Sequence, residues 1–174
     1  MSEEPVDLRE RTWAGERLGP VEFARNSDLL DLSLSECDVV GVAGQKSRLE
    51  RVTISNSRLR GVSWMGGVVR DLLLENVTGA DVSFRFSSLR SVILRDVEVP
   101  ELDFTNVEFE EVHFERCRLH KVMFDHARVK SLKIDSCDLS GATGVLNLRG
   151  ATMNVDDLMS LAPSLAREVG ILLD

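Results

Sequence analysis

The sequence predicts an all-β solenoid: a four-sided coil of about seven turns over residues 1–153, followed by a C-terminal helical segment over 154–174. Three regularities carry that prediction. First, residues 102–126 read in fives (LDFTN, VEFEE, VHFER, CRLHK, VMFDH), with a large apolar residue at each centre: Phe104, Phe109, Phe114, Leu119 and Phe124. Neither the helix period of 3.6 nor the strand period of 2 produces this spacing, so the unit is an internal repeat. The register extends over 23 centres from 29 to 139, and 21 of them are apolar, where the 43% apolar composition would give about 10. Second, the residue two places before each centre is never charged, and it alternates by tens. Leu32, Val42, Val52, Val62 and Leu72 begin a large set, whereas Ser27, Cys37, Ser47, Ser57 and Gly67 begin a mostly small one. Residues two apart in an extended segment share a face, so both columns point inward and the other three residues of each five face water. Third, Trp64, Phe84, Phe104 and Phe124 are twenty apart. Alternation by tens requires an even number of sides. Four sides stack these aromatics as one ladder at the strand spacing of about 4.8 Å, and six would scatter them.

Taken in order, the elements show where the coil starts, slips and stops. Val6, Leu8, Trp13, Leu18, Val21 and Phe23 keep the spacing one residue out of phase, with the extra residue placed between Phe23 and Ser27 and a bulge expected near Asn26. Gly44 and Gly79 are expected to leave gaps in the core, and Pro100 follows a centre, where a turn tolerates its missing N–H. Beyond Leu139 the count drops by one, because Leu148 is nine residues away, and the strands end near Met153. In the tail, Asn154 reads as an N-cap and Asp156 and Asp157 suit the helix dipole. Leu158, Leu161, Ala162, Leu165, Val169 and Leu172 form an apolar stripe, Pro163 is expected to kink or split the helix, and Gly170 to end it. An open coil end needs a cover, and Ile171, Leu172 and Leu173 extend past it, which points to a homodimer through this segment.

CDLSG at 137–141 and CDVVG at 37–41 resemble the pentapeptide-repeat family, whose unit is a small residue, a polar residue, Leu or Phe, then two polar residues. The resemblance covers roughly residues 6–153 and implies a right-handed quadrilateral β-helix. This chain departs from the pattern by preferring Val to Ala at alternate inner positions. The tail is similar to the C-terminal dimerising module of the family's quinolone-resistance members.

Composition narrows the function. A formal charge of −8 disfavours direct contact with nucleic acid or an anionic membrane surface. No run reaches the length of a membrane span and the first ten residues lack a signal pattern, so the expectation is a cytoplasmic protein. His113, His120 and His126 fall outward on three different sides, which disfavours a shared metal site or a catalytic dyad. Cys117 and Cys137 both occupy the inner small slot and read as core residues. No phosphate loop, zinc signature or nucleophile elbow occurs, so the expectation is a non-enzymatic protein without metal or cofactor.

The charge is banded: +5 over residues 41–95 (nine bases, four acids), −8 over 96–115 (eight acids) and +4 over 116–135 (six bases, two acids). Asp96, Glu98, Glu101, Asp103, Glu108, Glu110, Glu111 and Glu115 therefore form an acidic belt in outward phases, which the flanking basic bands can satisfy. Two functional readings follow. The resemblance to the quinolone-resistance branch implies a dimeric acidic rod that stands in for DNA on DNA gyrase or topoisomerase and protects it from inhibitors, with the belt as the contact. Duplex DNA carries one charge per about 1.7 Å, nearly three per coil, while −8 over about seven coils is close to one. The alternative is an interaction scaffold holding a protein through exposed apolar side chains, of which Leu73 and Ile93, stacked on one side, and Phe86 are candidates.

Overall fold

The computed structural model describes residues 7–19, 21–22 and 27–173. The chain winds as a parallel coil in which, from Asp28 to Asp135, strands pair with those twenty residues later, as in Leu49↔Val69, Leu89↔Phe109 and Val112↔Leu132. Four columns of centres define four sides. Val69, Leu89 and Phe109 lie on the first, Leu74, Leu94 and Phe114 on the second, Leu59, Val99 and Leu119 on the third, and Trp64, Phe84, Phe104 and Phe124 on the fourth. All are buried. Within most fives the two inward residues are buried while the intervening and following ones are part-exposed or exposed, as residues 102–106 illustrate, although inward Val42, Leu49, Ile54, Val62 and Val129 are only part-buried.

The left-handed corner is what makes five residues turn ninety degrees. The fifth residue of nearly every repeat has positive φ, from Asp31 (58°) through Asn76 (51°) and Asn106 (58°) to Ser136 (58°). At several corners the turn is closed by an i→i+3 hydrogen bond, as from Val107 N–H to the Phe104 carbonyl (3.1 Å). Asn, Asp and Gly tolerate this conformation best, and half of the 22 corners between 31 and 141 carry them.

Register slips occur where the spacing changes. The first coil pairs at 21 residues (Trp13↔Leu34, Leu18↔Val39, Val21↔Val42) and the second at 20 (Asp28↔Arg48), so the extra residue lies between Glu22 and Asp28. Val6, Phe23 and Asn26 are outside the described residues. The last coil pairs at 19 (Ile134↔Met153) through a left-handed Gly144 and a 3-10 turn at Val145–Leu148.

Two expectations about the core fail. Gly44 leaves no gap, because the Trp64 ring fills it: a Cβ there would be 2.5 Å from the ring. At Gly79 the Leu59 carbonyl takes the space, 2.5 Å from the same notional atom. Three of the four expected members of the aromatic ladder stack, and Trp64 is buried below them on the same side. Phe84, Phe104 and Phe124 stack at centroid distances of 6.0 Å with 15° between successive planes, and Phe109 and Phe114 pack against Phe104 across the lumen. Because 6.0 Å exceeds the strand spacing, the rings are slid sideways, the offset that aromatic quadrupoles prefer.

The tail is one helix, α1 (Val155–Glu168), N-capped by Asn154, whose side chain accepts from the Asp157 N–H (2.8 Å). Pro163 does not split it. The carbonyl it leaves unbonded belongs to Met159, which is 65% exposed and open to water. At the C-terminus, Gly170 (φ 82°) donates to the Arg167 carbonyl and Ile171 to that of Ala166, a Schellman ending. The expected stripe only partly covers the coil. Leu161 is buried and Leu165 packs on the core, whereas Leu158 (45%) and Val169 (57%) remain exposed.

Candidate protein-binding surfaces

Inward-pointing backbone N–H groups at the small column find an acceptor one coil on. Cys37 N–H donates to Ser57 Oγ (3.0 Å), Gly67 N–H to Ser87 Oγ (3.3 Å) and Cys117 N–H to Cys137 Sγ (3.3 Å). The last rung is supplied by α1. The buried carboxylate of Asp157, twenty residues beyond Cys137, accepts from Cys137 N–H (2.7 Å) and Ser136 N–H (3.0 Å). At its other end Glu168 accepts from Val145 and Leu146 N–H (3.0 and 3.1 Å). Residues 136 and 146 sit at diagonally opposite corners, so the helix lies diagonally across the coil end. Its length from 157 to 168, about 17 Å at 1.5 Å per residue, suits that span. Asp157 thus does more than complement a dipole, a role that its place in the register of twenty could have revealed.

Seven of the eight belt carboxylates are ion-paired, each with a base on a neighbouring coil. Asp96 pairs with Arg116 through both oxygens (2.9 Å each), Glu98 with Arg118 (3.0 Å), Glu101 with Lys121 (3.4 Å) and Asp103 with Arg85 (3.4 Å). Lys130 bridges Glu108 (2.6 Å) and Glu110 (3.4 Å), and Arg95 bridges Glu75 (3.0 Å) and Glu115 (2.9 Å). Glu111 accepts from Ser91 Oγ (2.8 Å) and has no ion pair among the described residues. The hydrogen bond from Arg116 holds the Asp96 carboxyl below its ordinary value, and that from Arg95 does the same for Glu115. The Arg51 guanidinium lowers Asp31 in the same way lower on the rod.

The apolar candidates separate. Leu73 and Ile93 are paired neighbours on the second side and half-buried. Phe86 is 52% exposed at a corner of the fourth side, with the Arg85 guanidinium 5.4 Å from its ring centroid. At the coil end, Leu158, Val169, Ile171 (58%), Leu172 (93%) and Leu173 (62%) are exposed together with Val155 and Met159.

His113, His120 and His126 occupy the second side, the third side and a corner of the fourth. His120 Nδ1 lies 2.7 Å from Ser140 Oγ, but its Nε2 is 3.7 Å from Asp138, and the pair stands on an exposed flat side. The Cys117 thiol is raised above its ordinary value by its hydrogen bond with Cys137 and by burial, which suits core packing. Among the described residues, no group of three or more His, Cys, Asp or Glu side chains could hold a metal ion, and no helix is long and apolar enough to cross a membrane.

These features define a four-sided parallel β-solenoid. Residues 103–142 match the pentapeptide-repeat family in eight copies. The chain therefore carries pentapeptide repeats, and its architecture is the right-handed quadrilateral β-helix that such repeats build. No curated protein matches it. Among solved structures it is similar to a trypsin-treated form of QnrB1, a plasmid-mediated fluoroquinolone resistance protein, at 12% identity over 97% of this chain and 100% of that one, with a TM-score of 0.32. It is also similar to HetL, a pentapeptide-repeat protein involved in heterocyst differentiation regulation from the cyanobacterium Nostoc, at 14% identity over 79% of this chain and 74% of that one, with a TM-score of 0.32.

Proposed function

We propose that the chain is a non-enzymatic binding rod, dimeric through its C-terminal segment, that holds a protein partner by shape and apolar contact. The pairing of seven of eight belt carboxylates with bases on neighbouring coils carries this reading. Charge already engaged within the rod must break those pairs to serve a partner, so the belt is a poor substitute for a phosphate backbone. The exposed apolar end from Ile171 to Leu173 supports the dimer, and three buried free cysteines suit a cytoplasmic setting, where thiols stay reduced.

A second reading, a DNA-mimicking modulator of DNA gyrase or topoisomerase that gives inhibitor protection, draws support from the net charge of −8 and from Glu111, which is free of ion pairing among the described residues. The two differ in salt response. Partners captured from host extract, with purified gyrase run in parallel, are compared at about 0.1 M and about 0.5 M salt, where screening removes long-range attraction. The apolar reading expects retention at high salt and loss on L73S/I93S or F86S. Loss at high salt, together with loss on E108Q/E110Q/E111Q, favours the mimic.

A further inference from the structure

Phe86 stands out among the corners. Of the 22 left-handed corners between 31 and 141, it is the only one with an apolar side chain, at φ 60°. A bulky residue pays for that conformation, and such strain persists where the surroundings enforce it. Here they do: Phe86 N–H donates to the Thr105 carbonyl (3.0 Å), Ser87 N–H to the Phe84 carbonyl (3.2 Å), and Ser87 Oγ to the Trp64 carbonyl (3.0 Å). The strain gains no core packing. The ring is 52% exposed, whereas every other Phe among the described residues is at most 5% exposed. Arg85 lies against the ring and steadies it.

Directly beneath, twenty residues earlier in the same column, Gly66 has no side chain, and beside it Gly67 cannot take one because a Cβ would lie 2.2 Å from the Ser47 carbonyl. With Val68, 49% exposed, these glycines floor a shallow depression of about 630 Å³. Four bases (Lys46, Arg48, Arg70 and Arg90) and three acids (Asp28, Glu50 and Glu110) line it. Arg48 is engaged by Asp28 and Glu50, and Arg90 by Glu110, but neither Lys46 nor Arg70 has an ion pair among the described residues. A fixed aromatic knob thus stands one coil above Gly66 at the edge of a notch floored by Gly66, Gly67 and Val68, with two cations free of ion pairs among the described residues.

We propose that Phe86 and this notch form the docking site for an acidic segment of a partner protein, one that brings an apolar side chain to Phe86 and Val68 and carboxylates to Lys46 and Arg70. Nucleic acid, the other polyanion, is disfavoured by the chain's net charge of −8. The inference rests on the protein-binding reading and supplies the chemistry of the partner.

The probe is a fluorescein-labelled peptide of about twelve residues alternating Glu and Leu, titrated into the full chain by anisotropy and mapped by amide chemical shifts. A Lys/Leu peptide, a Glu/Ser peptide and a short DNA duplex are the controls. Expected are binding of the Glu/Leu peptide alone and shifts confined to residues 46–48, 66–70 and 85–90. Phe86→Asn should weaken binding by about tenfold or more, while the melting temperature stays level or rises as the strained corner relaxes. Arg70→Gln with Lys46→Gln should weaken binding severalfold and flatten its salt dependence. The proposal is overturned by absence of binding, by equal binding of any control, by shifts centred on Leu73 and Ile93 or on the belt, or by a Phe86→Asn variant that melts lower but binds as before. None of these results alters the salt-resistance test of the protein-binding reading, so the two fail separately.

Discussion

Asp157 is the residue on which the coil end depends, because its buried carboxylate takes two backbone donors that no further strand can satisfy. Hydrogen bonds to charged groups contribute about 1.5–3 kcal/mol each, so Asp157→Ala is expected to cost about 3 kcal/mol in denaturant unfolding, with Asp156→Ala near neutral. Surface carboxylates act through pH instead. Asp31, Asp96 and Glu115 have folded values lowered by their arginines, so what they contribute is present above their unfolded values, near 4, and is lost as pH falls through the lower folded values. Thermal melts should therefore be level from neutral pH to about pH 5 and decline below about pH 4. A decline that sets in near pH 6 would point to histidine instead. The corners were legible where Asn, Asp or Gly occupies the fifth position and hidden where Lys46, Arg51 or Phe86 does, because those residues take the left-handed conformation only when the rungs above and below impose it.

At the scale of elements, the ladder of Phe84, Phe104 and Phe124 was readable from spacing alone, since each ring must lie over the one twenty residues before it. Phe104 also packs against Phe109 and Phe114. Phe104→Ala is expected to cost about 3–5 kcal/mol, whereas Phe86→Ala should cost less than 1 kcal/mol because that ring is outside the core. The ends of the elements were less legible. A proline rule treats Pro163 as a break, but where the freed Met159 carbonyl points to water the helix continues. The apolar stripe of α1 could not say which of its members meet the coil. That is decided by the pins at Asp157 and Glu168, which turn Leu161 toward the lumen and leave Leu158 and Val169 outside. Likewise Gly44 read as a void, because sequence cannot show that Trp64, one coil later, reaches back over it.

For the whole molecule, the exposed apolar end predicts association. Light scattering of the full chain should give twice the chain mass of 19.4 kDa, and Ile171→Asp with Leu172→Asp should return the monomer without loss of strand signal. The belt was legible as a band of outward carboxylates. What sequence could not show was that bases on neighbouring coils reach seven of its eight members, a matter of which side each falls on. On the reading proposed above, the belt charges are consumed within the rod and apolar contact holds the partner, with the notch cations secondary. The most direct measurement of that reading is the salt dependence of partner capture by the full chain, read for the parent, for E108Q/E110Q/E111Q and for L73S/I93S and F86S. Capture is expected to survive about 0.5 M salt, to tolerate the loss of three belt charges and to fail with at least one of the apolar variants. Capture that collapses with salt and with the belt variant, while both apolar variants bind as the parent does, would contradict it.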